Sequence, residues 1–331
     1  MKTYIPNNRN FAFMAIMISA ISILCGSFVQ AAAIYITNNT NSTTAGSVVG
    51  YTYNGVTVSA GITGFTTIAG LNGPYAITSD GTNLYTGSLQ GAGTGSTINK
   101  YTLAGANVSV PLISAPGPTR GLATYNGFLY QAGTTSSVIT KYSTSSGSGT
   151  SFITGLTPNI AHNIAIDAAN NIVYVSSYDS QLNGGGQVGS YNLTTGAVIT
   201  ANLISGVGLG GAFGLALDGA GDLFISGANT NVVSKYVIAT NDLTTGFINI
   251  GSGGVQGIAI DGTDLYVVQN TAGKIGKYST INASGTSSFI SGLTAPEAIV
   301  VIPEPSSVAL MCIGGAAFVV WTTRRRFRKI A

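Results

Sequence analysis

Charge is scarce in this sequence: Asp, Glu, Lys and Arg supply 7% of its 331 residues, alongside one histidine, one tryptophan and two cysteines. The little basic charge there is clusters at the ends. Lys2 and Arg9 open the chain, and Arg324, Arg325, Arg326, Arg328 and Lys329 close it. Between them six bases (Lys100, Arg120, Lys141, Lys235, Lys274, Lys277) stand against nine acids (Asp80, Asp167, Asp179, Asp218, Asp222, Asp242, Asp261, Asp264, Glu297), so the middle is mildly acidic. Binding to nucleic acid needs clustered Lys and Arg on the folded body, and that class of partner is excluded. Both cysteines, Cys25 and Cys312, sit in apolar runs near the ends, so no disulfide framework can hold the middle. Its stability must come from core burial. Glycine-rich nucleotide loops, a nucleophile elbow and zinc spacings are missing. So is any long apolar pattern of period 3.6, which argues against helices in the body.

The ends have their own logic. A basic start, an apolar run from Phe11 to Leu24 and small residues at Ala31, Ala32 and Ala33 have the layout of a secretory signal, predicting a signal peptide over 1–33. Leu24 precedes Cys25 where lipoprotein signals carry a small residue, which weighs against lipidation there. At the other end Ile302-Pro303-Glu304-Pro305 leads into an apolar stretch from Val308 to Trp321 and then the arginine run. The stretch is near the short limit for a bilayer core of ~30 Å, and its basic flank would stay on the cytoplasmic side. The two prolines break regular structure and leave Glu304 on an accessible, extended segment. This order resembles the PEP-CTERM sorting signal of Gram-negative bacteria. The resemblance implies recognition by an exosortase-type membrane peptidase, cleavage near Pro303, Glu304 and Pro305, and delivery to the cell surface or extracellular matrix. The alternative is an ordinary C-terminal membrane anchor. Either way the body, 34–302, is expected outside the cytoplasm, with the sorting tail at 303–331.

The body repeats itself. One strand motif ends in Asp: Ala76–Asp80, Asn163–Asp167, Gly214–Asp218 and Gly257–Asp261, with Gly121–Tyr125 as a variant lacking the acid. A second follows a Gly or Asn turn, beginning at Leu84, Leu129, Val173, Leu223 and Leu265. A third reads apolar-x-Lys-Tyr and ends at Tyr101, Tyr142, Tyr236 and Tyr278, with Ser190 replacing Lys before Tyr191. A fourth shows in the near-duplicates starting at Ser151 and Ser288. Four strands in a step of 40–50 residues mark a propeller blade. The run from Ile34 matches a second strand and Val48–Tyr51 a third, with Gly50 in place of Lys, so the chain starts one strand late. Ala298–Ile302 would supply the missing strand, predicting an all-β, six-bladed propeller closed by both termini. The run Gly-Ile-Ala-Ile-Asp-Gly-Thr-Asp-Leu-Tyr-Val from Gly257 resembles the NHL and regucalcin-like six-bladed propellers.

Candidate chemistry follows from position. Asp80, Asp167, Asp218 and Asp261 recur before tight turns and are expected to cap them. The Lys-Tyr pairs are expected to pack blades, each ammonium reaching water. The residue just before each first strand should lie at the channel mouth: Glu297, Tyr75, Arg120, His162, Phe213 and Gln256, one per blade. These six differ while their neighbours repeat, which is where binding could be written. His162 and Glu297, placed two blades apart on adjoining regions of the ring, could form a general-base pair or part of a metal site. One His and one carboxylate fall short of a transition-metal ligand set, leaving calcium as the conceivable cation. Two functions remain open: a non-enzymatic propeller that binds an extracellular polysaccharide or surface protein, and a secreted hydrolase or lactonase with a divalent metal at the channel mouth.

Overall fold

Residues 32–39, 46–89, 96–114, 116–133, 137–156, 160–179 and 185–303 are described by the computed structural model. The signal segment, the apolar tail, Glu304 and Pro305 lie outside these residues, and Pro303 is the last of them. Among the described residues no helix is long and apolar enough to cross a membrane.

Six antiparallel sheets are the six blades. Blade 2 comprises Pro74–Ser79, Asn83–Ser88, Thr97–Thr102 and Asn107–Ser114; blade 3 Thr119–Tyr125, Phe128–Gly133, Val138–Ser143 and Gly149–Thr154. Blade 4 comprises Ala161–Asp167, Ile172–Asp179, Gly185–Asn192 and Val198–Gly206; blade 5 Ala212–Leu217, Asp222–Gly227, Val232–Val237 and Asp242–Asn249. Blade 6 holds Val255–Asp261, Asp264–Gln269, Lys274–Ser279 and Gly285–Ser291. Blade 1 is shared between the two ends of the propeller. Its inner strand, Pro296–Pro303, pairs with Ala32–Asn38, followed by Gly46–Tyr53. Side chains reinforce this closure: Asn38 Oδ1 accepts from the backbone of Thr294 and Ala295, and Thr37 Oγ1 accepts from Ala298 N at 2.9 Å.

The second strand of each blade explains why the blades stack. Strand residues alternate faces, so neighbours in sequence serve opposite sheets. Leu84 joins Tyr35 and Val48 between blades 1 and 2, while the adjacent Tyr85 joins Leu122 and Leu129 between blades 2 and 3. The same division recurs around the ring, giving six buried clusters, one for each pair of neighbouring blades. Tyr35, Tyr85, Tyr130, Tyr174, Phe224 and Tyr266, one aromatic per blade, are the largest fully buried side chains. The cluster sealing blade 6 to blade 1 unites Tyr266, Val268 and Ile275 with Ile34, Ile36 and Ile299, so the closing interface has the same kind of core as the others.

Two details depart from the sequence reading. The outer strand of blade 1 is broken into Val58–Ala60 and Ile68–Leu71, both paired with Gly46–Tyr53. Gly50, standing where four other blades carry Lys and blade 4 Ser190, leaves room beside the break: a Cβ there would meet Ile62 and Phe65 side chains at 2.8 and 2.9 Å. The excursion between the half-strands tucks those two residues into the space, and Phe65 meets Tyr35 edge-on at 5.2 Å. The second departure concerns the lysines, which do not simply reach water. Lys100 Nζ donates to the Thr144 carbonyl and Lys235 Nζ to the Thr280 carbonyl, each at 3.1 Å on the next blade. Lys235 and Lys277 also pair with Asp222 and Asp264 at 2.7 Å, and Lys141 sits 4.1 Å above the Phe128 ring. A neighbouring blade offers a fixed carbonyl and the lysine's own blade an aromatic face, and these replace much of the water.

Candidate functional site at the channel axis

In five blades the inner strand slips register against the second strand at the predicted mouth position. The slips fall at Tyr75, Arg120, His162, Phe213-Gly214 and Gln256-Gly257. A bulge leaves its extra residue unpaired and re-aims the side chain, which is how an inner strand presents one residue to the axis. Glu297 holds the matching place in blade 1. The structure brings all six together: Tyr75, Arg120, His162, Phe213, Gln256 and Glu297 line one small cavity of ≈ 20 Å³.

Two devices hold the ring that the sequence reading missed. Ser176 accepts from Asn163 N at 3.0 Å and donates to the Phe213 carbonyl at 2.9 Å, tying the bulge of blade 4 to the ring residue of blade 5. Ser226 does the same, accepting from Gly214 N and donating to the Gln256 carbonyl. The signal was the hydroxyl late in the second strand, at Ser176 and Ser226; the matching Thr37 bonds only Ala298 of its own blade. The other device is the lack of a side chain just after the bulge. A Cβ on Gly121 would lie 2.5 Å from the His162 carbonyl, and one on Gly257 2.9 Å from the Glu297 carbonyl. Inner strands approach this closely only because those positions are glycine.

Blade order sets who faces whom. Passing from blade 1 to blade 6 the ring reads Glu297, Tyr75, Arg120, His162, Phe213, Gln256. His162 therefore stands three blades from Glu297, on the opposite side, and the adjoining placement is corrected. Counting blades through the shared first sheet gives the reason. Within the ring Arg120 Nη1 donates to Tyr75 Oη at 3.3 Å, and Tyr75 Oη donates to Gln256 Oε1 at 3.1 Å. The Arg120 guanidinium lies 5.3 Å from the Tyr75 ring centre and 5.8 Å from that of Phe213. The His162 ring meets Phe213 edge-on at 4.1 Å and Tyr178 at 5.9 Å.

Burial shapes the charges. His162 is 3% exposed, and burial together with the Arg120 charge holds its imidazole well below the ordinary value, keeping it neutral. Burial also pushes Glu297 up to about 7, against the opposing influence of Arg120 and hydrogen bonds from Asn270 and Asn39. Three buried polar atoms of the ring, Arg120 Nε, His162 Nε2 and Glu297 Oε2, have no hydrogen-bond partner. Such atoms are costly to leave unmatched. The Glu297 shift sets a pH dependence. With the folded value raised from 4.5 to about 7, the fold favours the protonated acid. Its stability contribution is complete below 4.5 and is lost as pH rises through about 7, a change of about 3 kcal/mol. Glu297→Gln is therefore expected to melt higher than the wild type near pH ~8 and close to it near pH ~4, as thermal denaturation at the two pH values would show.

Beyond the ring the channel widens into a cavity of ≈ 290 Å³ along the inner strands, bordered by Ala76, Thr78, Ser79, Arg120, Thr124 and Asn163 among others. Arg120 is the one charged residue on its wall. The recurring aspartates lie elsewhere and act as turn caps. Asp80 accepts from Thr82 N and Asn83 N, Asp167 from Asn170 N, and Asp218 from Ala220 N and Asp222 N. Asp261 departs: burial and the nearby Asp264 raise its carboxyl, with Lys277 opposing, and no turn amide bonds it. Pro303 is exposed at the end of the closing strand, while Glu304 and Pro305 fall outside the described residues. No group of three His, Cys, Asp or Glu that could hold a metal occurs among the described residues.

These features define a six-bladed propeller with a plugged axis. No protein-family model and no curated protein matches the sequence. Among solved structures, a chain of the nidogen/laminin complex is similar with a TM-score of 0.64 at 11% identity, over 82% of this chain and 98% of that one. Selenomethionine-substituted virginiamycin B lyase from Staphylococcus aureus also matches, with a TM-score of 0.47 and 17% identity over 68% of this chain and 73% of its own. At 11% identity the first likeness shows the fold alone.

Proposed function

We propose that this chain is an exported, non-enzymatic binding propeller, sorted through its C-terminal signal to the cell surface or extracellular matrix, where the axial ring recognises an extracellular polysaccharide or surface protein. One observation carries the binding reading: six different side chains, five of them on equivalent bulges, converge on one axis. A repeated frame whose convergent positions all differ is suited to recognition. In this scheme residues 1–33 direct export and 303–331 hold the precursor in the inner membrane. An exosortase-type peptidase acts near Pro303-Glu304-Pro305.

The two halves are tested separately. Replacing Pro303, Glu304 and Pro305 by alanine is expected to leave the precursor in the inner-membrane fraction. Undiminished surface display of that variant would overturn the sorting half. For the binding half, the combined Tyr75→Ala, Phe213→Ala and Gln256→Ala variant is expected to capture at least about tenfold less extracellular polysaccharide or surface protein from its own cells, given that a few residues carry most binding energy. Equal capture by a folded variant would move recognition away from the ring.

A further inference from the structure

We propose that the axial channel binds one small carboxylate, as borne by a uronic acid or a free hydroxy acid, with its anionic end against the Arg120 guanidinium. The proposal deepens the binding reading and rests on it, since it names the ligand chemistry of the same ring. Arg120 belongs to both spaces at the axis. It lines the ≈ 20 Å³ cavity inside the ring and is the one charged residue on the wall of the ≈ 290 Å³ cavity beyond it.

Its charge has no carboxylate within ion-pair distance, and Glu297 acts on it only at longer range. The ion pairs among the described residues are Lys235 with Asp222 and Lys277 with Asp264, so Arg120 has no carboxylate in contact. One of its nitrogens bonds a neutral phenol, two aromatic faces cover the guanidinium, and Nε is buried without a partner. A cation withdrawn from water and left uncompensated is unfavourable, and a planar fork of donors suits a carboxylate better than any neutral group. A second buried atom without a partner, Nε2 of His162, faces the same ring and would serve a hydroxyl beside the carboxylate. The larger cavity is at the small end of ligand pockets, which fits a molecule of monosaccharide size. Its wall supplies the Thr78 hydroxyl and the Asn163 side-chain amide for hydroxyl groups, while the Ser79 and Thr124 hydroxyls are bonded within the protein.

The groups facing Arg120 also give binding a pH dependence. They are Tyr75 from blade 2, His162 from blade 4 and Glu297 from blade 1. His162 is held neutral, and burial and Glu297 raise the Tyr75 phenol further above neutrality. Glu297 therefore does the titrating. Protonated, it leaves the Arg120 field to the ligand; ionised, it supplies a competing negative charge. Affinity is expected to fall as pH rises through about 7.

The test is isothermal titration calorimetry of the purified full chain in detergent with glucuronate, lactate and glucose. Saturable heats for glucuronate and none for glucose are expected, and lactate separates a free hydroxy acid from a sugar acid as the better fit. Glucuronate binding should weaken about tenfold between about pH 6 and about pH 8, since only the fraction with protonated Glu297 is competent. Arg120→Gln should abolish binding and Arg120→Lys should weaken it, while Glu297→Gln should bind with the same affinity at about pH 6 and about pH 8. Circular dichroism and melting establish that each variant is folded; if Arg120→Gln is not, Arg120→Lys and Glu297→Gln decide. Equal binding of glucose, no heat with either acid, or an unaltered pH profile in Glu297→Gln would overturn the proposal. Polysaccharide or protein capture by the wild type in the absence of carboxylate binding would sink this inference alone, whereas capture unaffected by the ring variants would sink the broader reading.

Discussion

A chain stopped after Ala295 is expected to lose the cooperative fold rather than one strand of it. The deletion removes Pro296–Pro303, the inner strand of blade 1, and strips Ala32–Asn38 of its partner. It takes away Ile299, which is 6% exposed, and the partly buried Ala298, Val300, Val301 and Ile302 that pack on both flanking clusters. Burying one such side chain contributes roughly 1.5–3 kcal/mol, so losing several together rivals a net stability of about 5–15 kcal/mol. The cut would also leave blades 6 and 1 each with an open apolar face. Circular dichroism melting and limited proteolysis would show it: the chain ending at Ala295 should lack a sharp transition, and one ending at Pro303 should retain it. A sharp melt for the shorter chain would mean that the ring does not depend on its closure.

The second large effect is expected at Phe224. Its side chain is fully buried between blades 5 and 6, in a cluster with Val233, Ile248, Leu265 and Val267. It meets Phe247 edge-on at 5.9 Å and lies beneath Lys235 Nζ at 5.4 Å. Phe224→Ala leaves a cavity that two stiff sheets cannot close, at a cost of about 3–5 kcal/mol or a fall of roughly 10 °C in Tm. Phe128 is the control. It is 37% exposed at the start of its strand, covered chiefly by Lys141, and its replacement by alanine should cost about 1 kcal/mol. If calorimetry found the two variants equally destabilised, the aromatic layer would not be what joins the blades.

The blades were legible because their second strands are buried on both faces. A Leu-Tyr or Leu-Phe pair repeats wherever one residue must face each neighbouring sheet, as at Leu84-Tyr85 and Leu223-Phe224. The axial positions were legible for the opposite reason: the bulge frees Tyr75, Arg120, His162, Phe213 and Gln256 from the packing rules that make their neighbours alike, and Glu297 holds the matching place in blade 1. What escaped the sequence depends on contacts between repeats. Lys100 finds its carbonyl at Thr144, one whole blade onward, and no local pattern announces that partner. The substitution at Gly50 was visible, but Ile62 and Phe65 fill its space from an excursion that no other blade contains. The separation of His162 and Glu297 is of another kind: it follows from blade order alone, and the repeats already place the two residues on opposite sides of a six-bladed ring.

The exit point of the chain has a mechanical consequence. Pro303 ends the innermost strand of its sheet, so tension applied beyond it enters the propeller at the hub. Pulling lengthwise on that strand loads its backbone bonds to Ala32–Asn38 together, whereas a pull across it would open them one by one. A tether joined beyond Pro303 would therefore act on the strand that closes the ring.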